Sequence, residues 1–168
     1  METPTVRLRQ AGSSDIPAIQ HIASLTWPVA YCEILTPGQV GYMLSKMYSA
    51  EVLQRQMSRE GHQFWLGLVN DTPAGFAGFS PVEGLVWKLN KLYVLPGTQK
   101  TGLGKLLLQK TEEIAKDHGA LMLKLQVNRN NNAYTFYHKH GFTVAEEKDF
   151  DIGNGFWMED YVMVKKIL

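Results

Sequence analysis

From Leu92 to Leu108 the chain passes from an apolar strand into a glycine loop and straight on into a helix, through Leu92-Tyr93-Val94-Leu95-Pro96-Gly97-Thr98-Gln99-Lys100-Thr101-Gly102-Leu103-Gly104-Lys105-Leu106-Leu107-Leu108. Gly102 and Gly104 reach backbone angles other residues avoid, and without side chains they let a ligand approach the main chain. Behind them Leu103, Leu106, Leu107 and Ile114 keep helical spacing. The loop's N–H groups therefore converge on the positive end of a helix dipole, where an anion belongs. Gly119 ends that helix as a C-terminal cap, and Lys116 and His118 fall in its last turn, where positive charge is favoured.

Residue identity decides between the known phosphate loops. Gly97 and Gly102 have the spacing of the nucleoside-triphosphate loop, but Leu103 occupies its lysine position. The dinucleotide fingerprint requires a third glycine where this chain has Leu107.

What remains is Gln-x-x-Gly-x-Gly over Gln99, Gly102 and Gly104, and about thirty residues on stands Asn130-x-x-Ala133-x-x-Phe136-Tyr137-x-Lys139-x-Gly141-Phe142. On these two signatures, within residues 85 to 142, the chain resembles the GCN5-related N-acetyltransferase (GNAT) superfamily. The resemblance implies an α/β (α+β) fold: a mixed, mostly antiparallel twisted sheet flanked by helices, in the order β-α-α-β-β-β-α-β-α-β-β. The strand before the loop would carry a bulge and part from its neighbour, and acetyl-coenzyme A would fill the wedge as co-substrate.

By the same resemblance, main-chain N–H groups across Gln99, Lys100, Thr101, Gly102, Leu103 and Gly104, with Lys105 at the helix start, take the pyrophosphate. Backbone groups of Leu92, Tyr93 and Val94 pair with the pantetheine amides as an added strand would. Asn130 reaches the cofactor and is also placed to cap the following helix. Tyr137 lies near the thioester sulfur and protonates the departing thiolate. A packing reading of Tyr137 stays open, because Ala133, Phe136, Tyr137 and His140 form one helix face at i, i+3, i+4, i+7.

Many relatives place a glutamate base two residues before the pantetheine-binding segment; this chain has Asn90 there. Base catalysis would then come from a water chain or another carboxylate, and Glu33 is the candidate, because it follows Trp27 and Tyr31 in the helical insert that walls the acceptor site in the family. Trp27 and Tyr31 are the candidate acceptor contacts. A solvated surface glutamate is an equal reading of Glu33.

Around the last hairpin Glu146, Glu147, Asp149, Asp151, Glu159 and Asp160 accompany Phe150, Phe156 and Trp157, a mixture suited to a cationic amine. With Phe150-Asp151-Ile152-Gly153, this looks similar to bacterial polyamine (spermidine/spermine) N-acetyltransferases. The expected function is acetyl transfer from acetyl-coenzyme A to a small primary amine. A non-catalytic coenzyme A-binding module and a protein or peptide N-acetyltransferase are the alternatives.

Bulk properties narrow the rest. At 168 residues a single domain over 1–168 is expected, and a net charge of +1 provides no basic face for nucleic acid. Cys32 has no disulfide partner, no metal ligand set stands out, and neither a signal-like start nor a long apolar run is present. The expectation is a cytoplasmic protein with no membrane partner. Family members are often dimers, so the resemblance allows a homodimer, although no self-complementary surface is legible.

Along the chain, Val6 and Leu8 begin a strand, and Ser13-Ser14-Asp15 before Pro17 reads as a helix cap ahead of the stripe Ile16, Ile19, Ile22, Ala23 and Thr26. Residues 28 to 60 read as one or two further helices, broken at Pro37-Gly38 and near Ser49. Strands follow over Phe64 to Val69, Ala74 to Ser80, Leu85 to Leu95, Leu121 to Val127, Phe142 to Phe150 and Phe156 to Lys166, with a helix from Asn131 to His140.

Overall fold

A computed structural model describes residues 2–167. Strand β1 (Val6–Gln10) is followed by a 3-10 turn and helices α1 (Ile16–Ala30), α2 (Pro37–Tyr48) and α3 (Ala50–Ser58). Next come β2 (Gln63–Val69), β3 (Thr72–Glu83) and β4 (Val86–Val94), then α4 (Leu103–Asp117), β5 (Met122–Asn128), α5 (Ala133–Lys139), β6 (Thr143–Gly153) and β7 (Phe156–Lys166). The strands form a seven-stranded sheet in the order β1-β2-β3-β4-β5-β7-β6. Among the described residues only β4 and β5 run parallel; the other pairings are antiparallel. Among the described residues no helix is long and apolar enough to cross a membrane.

Three helices precede β2, one more than the family order implied and the larger of the two counts that residues 28 to 60 allowed. The Thr36 side chain accepts from the N–H of Gln39 and the Ser49 side chain from that of Val52, both from extended backbone, so each starts a new helix. The entry to α1 also differs from expectation. Ser13–Asp15 forms a 3-10 turn, and it is the Asp15 carboxylate that accepts the N–H of Gly12 while pairing with Arg9. The stripe Ile16, Ile19, Ile22, Ala23 and Thr26 is buried as its period requires.

Helices cover both faces of the sheet. Leu103, Leu107, Leu108 and Ala115 of α4 pack with Phe79, Trp87, Leu89, Leu123 and Leu125 on one face. On the other, α1 to α3 bring Ile19, Ile22, Trp27, Met43 and Leu53 against Phe64, Leu66 and Phe76. Glycines set how closely α4 approaches. A β-carbon on Gly67 would stand 2.3 Å from Cδ1 of Leu103, and one on Gly75 would stand 2.9 Å from the carbonyl oxygen of Tyr93.

A register shift in β4 creates the site. Gly78 of β3 faces Lys91 and Phe79 faces Leu89, so Asn90 is an extra residue, a β-bulge. Side chains alternate along a regular strand, so Leu89 and Lys91 would otherwise share a face. The bulge reverses the phase: Leu89, Leu92 and Val94 face α4, whereas Lys91 and Tyr93 face the α1 side. Pairing with β5 runs from Val86 opposite Met122 to Leu89 opposite Leu125 and stops there. Beyond it the two strands part.

Candidate active site

Three spaces open around the parting strands. The largest, about 840 Å³, is walled by Leu92, Tyr93 and Val94 of β4, Gly104 of α4, Asn130 before α5, and Phe136 and Tyr137 of α5. A second, about 390 Å³, is lined by Trp27, Tyr31, Lys88, Asn90, Lys91, Gln126, Phe150, Asp151 and Asp160 among others. A small space of about 50 Å³ sits where the strands separate; it shares Tyr93 with both cavities, Tyr137 with the larger and Tyr31 with the smaller.

The large cavity ends beside the start of α4. Gly102 takes φ +79°, the left-handed region, and no side chain caps the helix. The first-turn N–H groups of any α-helix lack partners within it, so those of α4 stay free for an anion. Gln99 to Thr101 form a 3-10 turn leading into Gly102. The Thr101 hydroxyl is spent on the carbonyl of Thr98 at 2.6 Å, and Leu103 is fully buried, so these two residues offer main chain only. Lys100 and Lys105 are exposed beside the loop. Gly104 reaches the cavity wall itself; a β-carbon there would meet Phe136 at 3.7 Å and Val94 at 3.8 Å. The β4 edge beyond Leu89 has no partner in β5, which leaves main-chain groups available for an extended ligand. Free amides at a helix start, an open strand edge and a cavity between them fit a pyrophosphate joined to a diamide arm.

Asn130 lines that cavity but does not cap α5. Its own N–H donates to Oδ1 of Asn128 at 2.9 Å, the N-cap position belongs to Asn132 with no side-chain cap, and Asn131 Oδ1 accepts from the N–H of Ala133 in the turn before the helix. Glu33 is exposed and sits on the wall of the large cavity; it does not line the second one, where Trp27 and Tyr31 are found.

Phenols converge on the small space. The Tyr31 and Tyr93 hydroxyls lie 3.2 Å apart, and the Tyr137 ring packs edge-on against Phe136 and Phe142. Burial raises the pKa of each, Tyr137 included, so all three remain protonated donors at neutral pH. The sequence directed attention to Tyr137 as proton donor and to Tyr31 as acceptor contact; the side chain of Tyr93 had only a packing role in view.

Charge in the second cavity is unusual. Asp160 is 5% exposed; Oδ2 accepts from Gln126 Nε2 at 3.4 Å, and Oδ1 is buried with no hydrogen-bond partner. Burial pushes its carboxyl up to about 6. Lys91 is 4% exposed, donates to Oε1 of Gln56 at 2.9 Å, and lies over the rings of Tyr48 and Phe64. Burial pulls its ammonium down to about 8. The rest of the C-terminal acidic group is solvated: Glu146, Glu147, Asp149, Asp151 and Glu159 are exposed, and Asp149 pairs with Arg129 at 2.6 Å. Of that group only Asp151 and Asp160 line the cavity. Asn90 donates to Oγ of Ser80 at 2.9 Å, a bond that fastens the bulge.

Comparison with known proteins gives a consistent family. The sequence model of the acetyltransferase (GNAT) family matches residues 19–142. A spermidine N(1)-acetyltransferase of Thermoplasma acidophilum is 29% identical over 160 residues, covering 92% of this chain and 96% of that one. An uncharacterized N-acetyltransferase of Mycobacterium tuberculosis is 27% identical over 156 residues, covering 92% and 99%. Among solved structures, the PaiA N-acetyltransferase of Thermoplasma acidophilum in complex with coenzyme A superposes with a TM-score of 0.82 at 27% identity, over 96% of this chain and 99% of that one. A GCN5-related N-acetyltransferase of Rhodopseudomonas palustris shares the fold with a TM-score of 0.83 at 22% identity, over 99% and 98%.

Proposed function

The chain belongs to the acetyltransferase (GNAT) family, whose enzymes use acetyl-coenzyme A, and from that premise we propose that it acetylates a primary amine of a small molecule. The observation that carries this reading is the pair of cavities flanking the parted strands, with Tyr93 common to both. A thioester arriving through the larger and an amine through the smaller would meet beside Tyr137.

Acetyl-coenzyme A supplies an acetyl group activated as a thioester. The chain supplies the rest. Free N–H groups of the first turn of α4 hold the diphosphate, and the open edge of β4 beyond Leu89 pairs with the pantetheine arm. A main-chain N–H on the bulged strand faces the oxyanion that develops at the acetyl carbonyl. Tyr137, a protonated phenol at the junction, donates to the departing thiolate.

The amine must first lose a proton. With a pKa near 10.4, only about one lysine-like amine in a few thousand is neutral at pH 7, a cost of roughly 4 to 5 kcal/mol. We assign the proton acceptor to Asp160 in place of Glu33. Asp160 lines the cavity through which the amine enters, its buried Oδ1 has no hydrogen-bond partner, and a pKa of about 6 leaves it ionised yet basic at neutral pH. Asn90 is a neutral amide already engaged with Ser80.

The acceptor cavity holds about 390 Å³ and is walled by helix α2 and the β6–β7 hairpin, dimensions of a small molecule rather than of a polypeptide groove. The spermidine-acetylating relative makes a polyamine one candidate acceptor. Thiol release from acetyl-coenzyme A, measured across polyamines, amino acids, peptides and aminoglycosides, tests the proposal. Turnover with a small amine supports it, whereas tight acetyl-coenzyme A binding with no release across the panel would leave a non-catalytic binding module.

A further inference from the structure

Resting on the acetyl-transfer reading, we propose that the acceptor is an amine that also carries an anionic group, a carboxylate or a phosphate, bound with its ammonium at Asp160 and its anion at Lys91. Two opposite charges are buried in the walls of one cavity, and neither takes part in an ion pair among the described residues. A buried charge without a counter-ion is costly, and a cavity lined by one of each sign is complementary to a bipolar ligand.

Lys91 is placed for this by the bulge, which turns its side chain into the cavity instead of toward α4. Its ammonium has three N–H groups, and Gln56 takes one. Its surroundings add no anion: His62, whose Nδ1 is buried without a partner, Lys88, and the aromatic rings. Glu60, the carboxylate nearest in influence, is exposed and paired with Arg55 at 3.3 Å. Asp160 faces Gln126, Lys88, Tyr31 and Arg129, whose guanidinium is already held by Asp149 and by the Asp160 carbonyl. Lys88 is engaged by Gln126 Oε1 at 2.5 Å, so Gln126 stands between the lysine and the carboxylate. A polyamine whose first ammonium met Asp160 would bring its others against Lys46, Lys88 and Lys91 on the same walls. An amino acid or an aminoalkyl phosphate would instead satisfy both ends.

Matched acceptor pairs test this: an amino acid against its carboxamide, and an aminoalkyl phosphate against the amino alcohol, with spermidine alongside. The anionic member should show kcat/KM at least about 10-fold higher, the size of a charge-assisted hydrogen bond. Lys91→Met should raise KM for the anionic member by about the same factor, a clearly larger loss than on its uncharged partner. Preference for spermidine or the carboxamide, or an equal loss on both members of a pair, would overturn the proposal. If Lys91→Met does not fold, the wild-type preference decides alone. Absence of thiol release with every amine would count against acetyl transfer only, because calorimetric binding of the same pairs to the coenzyme A-loaded protein still reads the anion's contribution.

Discussion

The hydroxyls of Tyr31 and Tyr93 lie 3.2 Å apart, so the turn that closes α1 is tied to the strand carrying the open edge. One wall of the acceptor cavity is thereby fixed to the wall of the cofactor cavity. Removing the Tyr31 hydroxyl leaves that of Tyr93 facing a buried gap. Tyr31→Phe should cost about 1 to 3 kcal/mol in urea denaturation, the penalty of an unpaired buried polar group. An unchanged midpoint would show that the contact is not maintained in solution.

Tyr137→Phe keeps the ring that packs on Phe136 and Phe142 and removes only the proton donor. Turnover should fall about 10- to 1000-fold with acetyl-coenzyme A affinity unchanged. Equal turnover in the variant would return Tyr137 to a packing role.

Asp160→Asn should lower activity and raise stability together. With a carboxyl moved from 3.8 to about 6, the folded chain holds this proton more tightly than the unfolded one. The associated stability is fully present below the unfolded value and is lost as pH rises through about 6. At pH 7 the ionised carboxylate is therefore a burden, about 1 to 2 kcal/mol after allowing for solvent screening, which the amide removes. Thermal melting should show the variant's advantage growing from pH 4 to pH 7. In the wild type, kcat/KM should drop as pH falls below about 6. Melting curves that coincide at all pH values would remove the buried charge from the account.

Gly67→Ala tests how the anion-binding end of α4 is positioned. The added carbon would fall 2.3 Å from Leu103, the first residue of the helix, against a side chain with no free space around it. Overpacking of this kind costs about 1 to 3 kcal/mol. The displaced helix start should weaken acetyl-coenzyme A binding, read by calorimetry, even though Gly67 lies on β2, outside the cavity lining. Gly104→Val, which intrudes on the cavity beside Phe136, should weaken the same binding with a smaller loss of stability.

Elements whose identity depends on local pattern were legible in the sequence: the glycine loop, the helix behind it and the strands on either side. What was hidden depended on register. Lys91 drew no attention: the resemblance implied a bulge in this strand, but its position at Asn90, from which the burial of Lys91 follows, comes only from the pairing with β3. Asp160 was hidden among five acidic residues, yet a signal existed: Trp157 and Glu159 are exposed while Met158 and Asp160 are buried, the alternation of a half-buried strand. Counting by two from Met158 would have separated Asp160 from its neighbours. Glu33 was placed by sequence proximity to Tyr31, but the chain turns at the end of α1 and carries it to the other cavity. Asn130 was assigned a capping role it does not hold, because α5 begins later than its polar run implies and its N-cap is Asn132.

The β6–β7 hairpin is clasped to α2 by Tyr42 and Lys46 donating to the carbonyl of Ile152 at 2.8 and 2.6 Å, and by Gln39 donating to that of Trp157 at 2.7 Å. The acceptors of these three bonds are main chain, so exchanging Phe150 and Asp151 leaves the bonds themselves in place. A lineage built on this scaffold could revise what it acetylates by rewriting Phe150 and Asp151 while the half that grips coenzyme A stays untouched.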